Sequence, residues 1–352
     1  MKKFAKDISL LIHKIFHWEY WSFDLLYFPV YFVWMYFSIK AGKWFFFLPA
    51  NPSIKNAGFL LESKKEIYDT IPCEFIPKTI LIAPGISIAL INKKMKEARI
   101  DFPCIGKPDM GMKGLGVTLL EHQTDLEKYS EKLSLNFLIQ EYITFPNEIG
   151  VFYYRIPGDP VGRISGIVNK EFLKITGDGN NTIEYLLQKD PRHQFQLKAL
   201  LKTYGNGLQE VLPKGETKNL VPYGNHARGA KFTNVTHWAD EALIAAIDEV
   251  CRQIPDFYYG RLDIRYNSLE ELKQKKNFRI IELNGAGSEP THIYDPDHSV
   301  FFAWKEIIRH LKLLYSISIK NYSSGHPHMT LKQGLAMLKE NKKLVKKLKL
   351  IQ

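Results

Sequence analysis

The chain opens on helical spacing. Phe4, Ile8, Leu11, Ile12, Ile15 and Phe16 recur every three to four residues, while Lys2, Lys3, Lys6 and Lys14 lie mostly elsewhere. This pattern predicts an amphipathic helix over 1–23. An uncharged apolar run follows, Leu25 to Ile39, 15 residues long. A membrane-spanning helix needs about 20 such residues, and Pro29 and the density of aromatic rings fit a span poorly. The run starts late and no small-residue cleavage site follows it, so it does not read as a secretory signal. Two readings of the first 50 residues stay open: an arm lying on a membrane surface, or a hydrophobic arm packed on the main body.

The spacing then shortens and alternates. Residues 63–71 predict a short helix, Thr79–Ala83 a strand and Ile86–Ala98 a helix, and "FPCIGKP" is a strand ending in a loop. Three strand-like runs, 137–143, 150–156 and 162–169, are separated by turn residues. "NTIEYLL" after Gly179 predicts a helix. Over Ala239–Ile254, Leu243, Ile247, Val250 and Ile254 form one stripe, an amphipathic helix. Two strands, "YYGRLDIRYN" and "NFRIIELN", come next, joined by the charged stretch 268–276, which belongs on the surface. A last helix is expected over about 300–314, followed by a basic helical tail. No internal repeat and no low-complexity linker interrupts the 352 residues.

Composition adds two facts. The hydrophobic fraction, 45%, is that of a globular chain. The net charge of +11 sits on the ends: +3 in residues 1–50 and +6 in residues 332–352, leaving +2 for everything between. That distribution points to an anionic surface as a partner rather than to a strongly basic core. No RNA- or DNA-reading motif accompanies it, so nucleic acid is not an expected partner. Cys73, Cys104 and Cys251 are scattered, with no C-x-x-C pair, which signals neither a zinc site nor a disulfide framework. A reducing, cytoplasmic location is expected.

Two segments carry chemistry. In "GKPDMGMKGLGV", Lys107 ends an apolar strand and Gly111, Gly114 and Gly116 follow. Glycines let backbone N–H groups approach a polyphosphate, and a lysine beside them adds a point charge. The segment is neither a Walker A loop nor a dinucleotide fingerprint. In "GRLDIRYN", Arg261, Asp263 and Arg265 share one strand face, and in "RIIELNG", Glu282 and Asn284 share another, about 7 Å apart along the strand. If the two strands are neighbours, Asp263, Glu282 and Asn284 converge as hard oxygen donors suited to Mg²⁺. The alternative is a solvated strand face, but both strands are otherwise apolar.

The order of these motifs resembles that of ATP-grasp ligases of the D-alanine–D-alanine ligase type. It runs from "KP" and a Gly-rich loop through "QEYI" with an acidic residue after it to "RLD" and "IELNG". "LKITGDGNNTIEYLL" (173–187) is similar to the lid region of cyanophycin synthetase and the bifunctional glutathione synthetases. The resemblance covers about 62–314 and implies an α+β, ATP-grasp fold, two subdomains gripping ATP. A hydrophobic helical arm (1–60) stands where a Rossmann-like domain is usual. The other expected parts are a first grasp part (61–135), a lid and metal-binding part (136–315) and the basic tail (316–352).

The same resemblance implies roles. Lys64, with Lys65 as the neighbouring alternative, and Lys107 would contact phosphates. Gly111, Gly114 and Gly116 would close over them. Gln140, Glu141, Tyr142 and Ile143 would form the adenine hinge, and Glu148 would hold the ribose. Asp263, Glu282 and Asn284 would bind two Mg²⁺ ions. Arg261 and Lys170 would act at the reacting carboxylate. From the residues themselves, the polar cluster Asn225, His226, Arg228 and Lys231, set between glycines, is a candidate for substrate; Glu289 and His292 follow the metal motif, where the resemblance implies substrate-binding loops. The expected reaction joins a carboxylate to an amine through an acyl phosphate, with a small-molecule or lipid substrate and the inner membrane face as a possible docking place. A phosphotransferase and a non-catalytic ATP-binding protein are the competing functions.

Overall fold

The computed structural model describes residues 10, 12–112, 114–221 and 224–350. It is an α+β protein built on two antiparallel sheets. The first contains β1 (Thr79–Ile82), β2 (Cys104–Pro108), β3 (Thr118–Leu120) and β4 (Phe137–Glu141), in the order β1-β4-β2-β3. Further on come β5 (Asn147–Tyr154), β6 (Arg163–Glu171), β7 (Lys174–Thr176), β8 (Thr217–Asn219), β9 (Lys231–Asn234), β10 (Tyr259–Tyr266) and β11 (Phe278–Asn284). The second sheet runs β11-β10-β5-β6-β9, and β7 and β8 pair as a small separate ribbon.

The first expectation needs correcting at its start. A single helix over 1–23 does not form: the chain is helical over 12–16, His17 is extended, and a 3₁₀ turn covers Trp18–Tyr20. The break has a reason. Trp18 donates its ring N–H to the His298 carbonyl, 2.6 Å away, and the Glu19 carboxylate is held by Arg192. Phe4, Ile8 and Leu11 lie outside the described residues. The apolar run then forms helix α1 (Phe23–Ala41), capped by Ser22 and ended by Gly42 with φ +64°, and Pro29 sits inside it. Among the described residues no strand precedes Thr79, and those up to residue 60 are helices and turns.

Helices α2 (Lys64–Thr70), α3 (Ile88–Ala98), α4 (Gln123–Lys132) and α5 (Glu241–Arg252) fall where the spacing predicted them or, for α4, in a stretch that had drawn no expectation. The helix expected to end near 314 continues as α6 (Val300–Ser323). Its buried stripe does not stop: Leu314, Ile317 and Ser318 follow on, and Asn321 donates to the Pro49 carbonyl. The tail is helix α7 (Leu331–Lys349), with a capping box at Thr330 and Gln333. It is not simply solvated. Met337 is buried with the arm and α6, while Leu348 is buried with Ile82, Leu120 and Phe137 on the first sheet. Among the described residues the three largest cores are β5, β6, β10 and β11 with α2 and α5; the arm with α6; and the first sheet with α3, α4 and the end of α7. A smaller one gathers Ile175 of β7 with Ile183, Leu187, Leu200 and Leu212.

Candidate active site

The two sheets face each other across a cleft of about 930 Å³, its open mouth included. Lys64, Lys107, Gly111, Gly114, Gln140 and Glu141 line one wall, with Tyr142 and Ile143 beside them. Glu148, Lys170, Asp263 and Glu282 line the other, joined by Asn225.

Lys107 comes from the end of β2, an otherwise apolar strand, and is buried. Its ammonium donates to the Tyr68 hydroxyl (2.7 Å), to Gln140 Oε1 (2.8 Å) and to the Ile281 carbonyl (3.2 Å). All three partners are neutral. Burial pushes its pKa down to about 8, partly offset by the negative field of Glu282 and Asp109. Lys64, at the first turn of α2, donates to the Gly111 carbonyl at 3.0 Å, while Lys65 turns to Asp69. Asp109 fixes this corner, accepting from Ser63 Oγ and the Lys65 backbone N–H. Gly114 has φ +69°, and a Cβ there would lie 2.5 Å from Asn225 Nδ2. Glycine alone allows this turn and this approach. Gly116, one turn on, accepts from the Tyr129 hydroxyl through its carbonyl and lies behind the cleft lining.

The opposite wall is built by register. In β10 and β11, Asp263 stands opposite Glu282 and Arg261 opposite Asn284, as the alternation required. A bulge follows Asp263. Arg261 clasps Asp263 with Nε (2.9 Å) and a terminal nitrogen (3.1 Å). Lys170, from β6, lies 3.1 Å from Asp263 and 2.9 Å from Glu148. Burial alone would raise Asp263; the Arg261 and Lys170 charges outweigh it and hold the carboxyl below its ordinary value. Burial likewise would lower Lys170, but Asp263 and Glu148 raise it. Glu148, expected at a ribose, has both oxygens engaged: by Lys170, by the Gly224 N–H at 3.3 Å and by Arg265 at 3.5 Å. Glu282 makes no ion pair among the described residues.

The donor set fits Mg²⁺ in kind. Mg²⁺ is held by one or two carboxylates plus substrate phosphates and waters, and Asp263 and Glu282 are adjacent across two hydrogen-bonded strands. The Asn284 side-chain nitrogen is buried without a partner; a metal would take the oxygen of that amide, not this nitrogen. No group of three His, Cys, Asp or Glu gathers among the described residues, so any ion here rests on two carboxylates, an amide and what a ligand brings.

Other candidates separate from the cleft. His226 places Nε2 3.2 Å from Glu19 and stacks on Tyr294, joining the arm rather than the cleft. Arg228 and Lys231 lie farther along that loop and at the start of β9. Glu289 accepts from the Tyr294 hydroxyl at 3.2 Å, and its carbonyl accepts from Arg261. His292 is buried under β6, paired with Glu306 at 3.2 Å, where a Cβ on Gly166 would leave no room for its ring. Tyr68, Arg265 and Glu62 escaped the sequence reading as site residues. The Tyr68 side chain holds Lys107 together with that of Gln140, which was expected only at the hinge. Arg265 braces Glu148, a role its place two residues after Asp263 on the same face already hinted at. Glu62 has a buried carboxylate oxygen without a partner, its pKa raised by burial; nothing in "LLESKK" marks it.

No family model matches the chain. Over 215 residues it is 25% identical to the glutathione biosynthesis bifunctional protein GshAB of Streptococcus mutans, a stretch that covers 54% of this chain and 28% of that protein. The chain resembles the ATP-grasp ligases. Among solved structures, the VanG D-Ala:D-Ser ligase of Enterococcus faecalis is 12% identical, with a TM-score of 0.42 over 74% of this chain and 62% of that one. The D-alanine–D-alanine ligase of Bacillus anthracis is 10% identical, at 0.41 over 75% and 69%. Likeness at this level is one of outline. The curated relative is more than three times the length of what it shares with this chain, so its whole activity does not transfer with the ATP-grasp resemblance.

Proposed function

We propose that this protein is an ATP- and Mg²⁺-dependent ligase that joins a carboxylate to an amine through an acyl phosphate. The observation that carries the reading is one cleft with two kinds of wall: a buried ammonium with only neutral partners faces a carboxylate pair across hydrogen-bonded strands. A polyphosphate supplies the anion that Lys107 lacks. Lys64 and the Gly111–Gly116 loop hold that anion from the same side, and the 140–143 hinge takes the base. Asp263, Glu282 and the Asn284 amide would hold two Mg²⁺ ions, which offset the repulsion between a carboxylate and a γ-phosphate. Arg261 positions positive charge where the acyl phosphate forms, and Lys170 neutralises the wall behind it. Glu148 aligns Lys170. The two loops carrying Gly114 and Asn225, which meet there, would keep water out while the amine arrives.

The finer assignments belong to the same proposal. The chain divides into an arm (1–60), two grasp parts (61–135 and 136–315) and a tail (316–352). Residues 173–187 are read as a lid on their motif. Asn225 and Glu289 remain the substrate candidates nearest the reacting groups, with His226, Arg228, Lys231 and His292 behind them. The substrates are a small-molecule or lipid acid and amine of the cell-envelope precursor type, and the enzyme is cytoplasmic and peripheral at the membrane. The test is trapping. Candidate acids incubated with ATP, Mg²⁺ and hydroxylamine should yield a hydroxamate and ADP. A stable phosphate ester without hydroxamate assigns a phosphotransferase instead, and bound but unconsumed ATP assigns a binding protein.

A further inference from the structure

Helix α1 carries charge only at its two ends, Asp24 and Lys40, and is otherwise apolar or aromatic on every side but for Ser38. A helix hydrophobic all round belongs in a core. Yet only a narrow stripe, Leu26, Val30 and Phe37, is buried, against α6 and the 46–47 turn. About half the circumference faces out: Leu25, Phe28, Tyr31, Phe32, Met35, Tyr36 and Ile39 are all exposed, Phe28 by 62% and Ile39 by 71%. Trp44 continues the patch past the helix end. Helix α6 runs beside α1 in the same direction: Trp304 donates to the Leu26 carbonyl and Tyr315 stacks on Phe37, eleven residues on in both helices. On its own outer side α6 shows Phe301, Lys305, Ile308 and Lys312, one turn apart. Lys40 and Lys43 close the end of α1.

We propose that this two-helix face docks flat on an anionic lipid leaflet. No helix among the described residues is long and apolar enough to cross a membrane, so α1 lies in the plane of the surface. Tyrosine and tryptophan rings with an apolar body and a polar edge sit at the headgroup level, and flanking lysines meet anionic headgroups. A second copy of this chain is a poorer occupant. Paired across a twofold axis, Lys305, Lys312, Lys40 and Lys43 would approach their own kind. The proposal deepens the peripheral association suggested above and shifts its main contact from the chain ends to a surface: α7 is anchored inside the protein through Met337 on the arm and Leu348 under the first sheet, although Leu331, Leu335 and Leu338 stay exposed.

The full chain should float with vesicles containing phosphatidylglycerol, release with added salt, and bind pure phosphatidylcholine vesicles more weakly. Phe28→Ser/Phe32→Ser/Ile39→Ser should lower partitioning by about tenfold or more without lowering the melting temperature, because these side chains face out. Lys305→Glu/Lys312→Glu should abolish the preference for anionic vesicles. A triple variant that floats like the parent chain overturns the assignment of this face. A parent chain that never floats, but forms a dimer that the triple variant dissolves, gives the face to a second copy and overturns the proposal. Flotation is read without turnover, so its failure leaves the ligase reading intact, and failure to trap a hydroxamate leaves the docking face intact.

Discussion

On the β2 wall of the cleft, Lys107 buries its ammonium among a phenol, an amide oxygen and a carbonyl, and its pKa falls to about 8. On the β10 wall, Lys170 is as deeply buried but lies between two carboxylates, and its pKa rises. Two buried lysines thus stand in opposite electrostatic states. A buried charge without an opposite charge is costly, and a ligand that supplies one relieves that cost. A buried charge already paired holds the structure together, and a ligand must compete with its partners. The first wall is set up to receive an anion; the second is prearranged around Asp263, with Glu282 left unpaired beside it.

The largest break in this comparison is at Glu282. Glu282→Gln removes the unpaired carboxylate from the metal-side wall while keeping its shape. Mg²⁺-dependent ADP release with the true acid should fall on the order of a thousandfold or more, with the melting temperature unchanged. Turnover near the parent rate would remove Glu282 from the metal assignment.

The two lysines should then respond with opposite signs. Lys170→Met leaves Glu148 and Asp263 short of a partner and should lower stability by about 3–5 kcal/mol. Lys107→Met removes a charge that costs the free protein about 3 kcal/mol at neutral pH, from the fall of its pKa to about 8. That variant should melt no lower than the parent and yet bind nucleotide roughly a hundredfold more weakly. Denaturant titration and nucleotide calorimetry on both variants check the contrast. Equal destabilisation would mean that Lys107 is also a structural ion and that the two walls are alike.

A smaller effect lies behind the phosphate wall. Leu348, near the end of α7, is fully buried, and its Cδ1 would be 3.3 Å from a Cβ on Gly111. Leu348→Ala should cost about 2–5 kcal/mol, whereas Leu338→Ala on the exposed side of the same helix should cost less than about 0.5. Equal, small costs would return the tail to a solvated helix.

The difference between these elements also explains what the sequence could carry. The strands and α5 were legible because their burial is periodic: Leu243, Ile247 and Val250 repeat along one face of one helix. The site residues that come from strand alternation, Asp263 opposite Glu282, were legible for the same reason. The tail was not. Its lysines dominate its composition, and only the structure shows that Met337 and Leu348 bury against partners some 290 and 210–266 residues back in the chain, such as Phe46 and, for Leu348, Ile82 and Phe137. His226 drew attention in a polar cluster between glycines and His292 in the segment after the metal motif, but a histidine reads alike whether it serves a substrate or, as here, pairs with Glu306 or Glu19. Pairing across such distances has no local pattern to announce it.

The most delicate prediction concerns a proton. Lys107 in the free protein titrates near 8, below its ordinary value of 10.5. Because the folded value is the lower one, the unfolded chain binds more protons between about 8 and 10.5, and this group's contribution to stability rises with pH through that window. Below about 8 the lysine is charged in both states and its burial cost is fully present. A polyphosphate beside the ammonium favours the charged form and lifts the pKa again. Binding of a non-hydrolysable ATP analogue should therefore take up almost no proton at this group near pH 6.5, and about half a proton near pH 8. Calorimetry in two buffers of different ionisation enthalpy reads this directly, because proton uptake makes the observed heat depend on the buffer. The dependence at pH 8 should vanish in Lys107→Met. Buffer-independent heat for the parent protein at pH 8 would mean that Lys107 is not the group that meets the phosphates, and the two walls would lose the asymmetry on which the site is assigned.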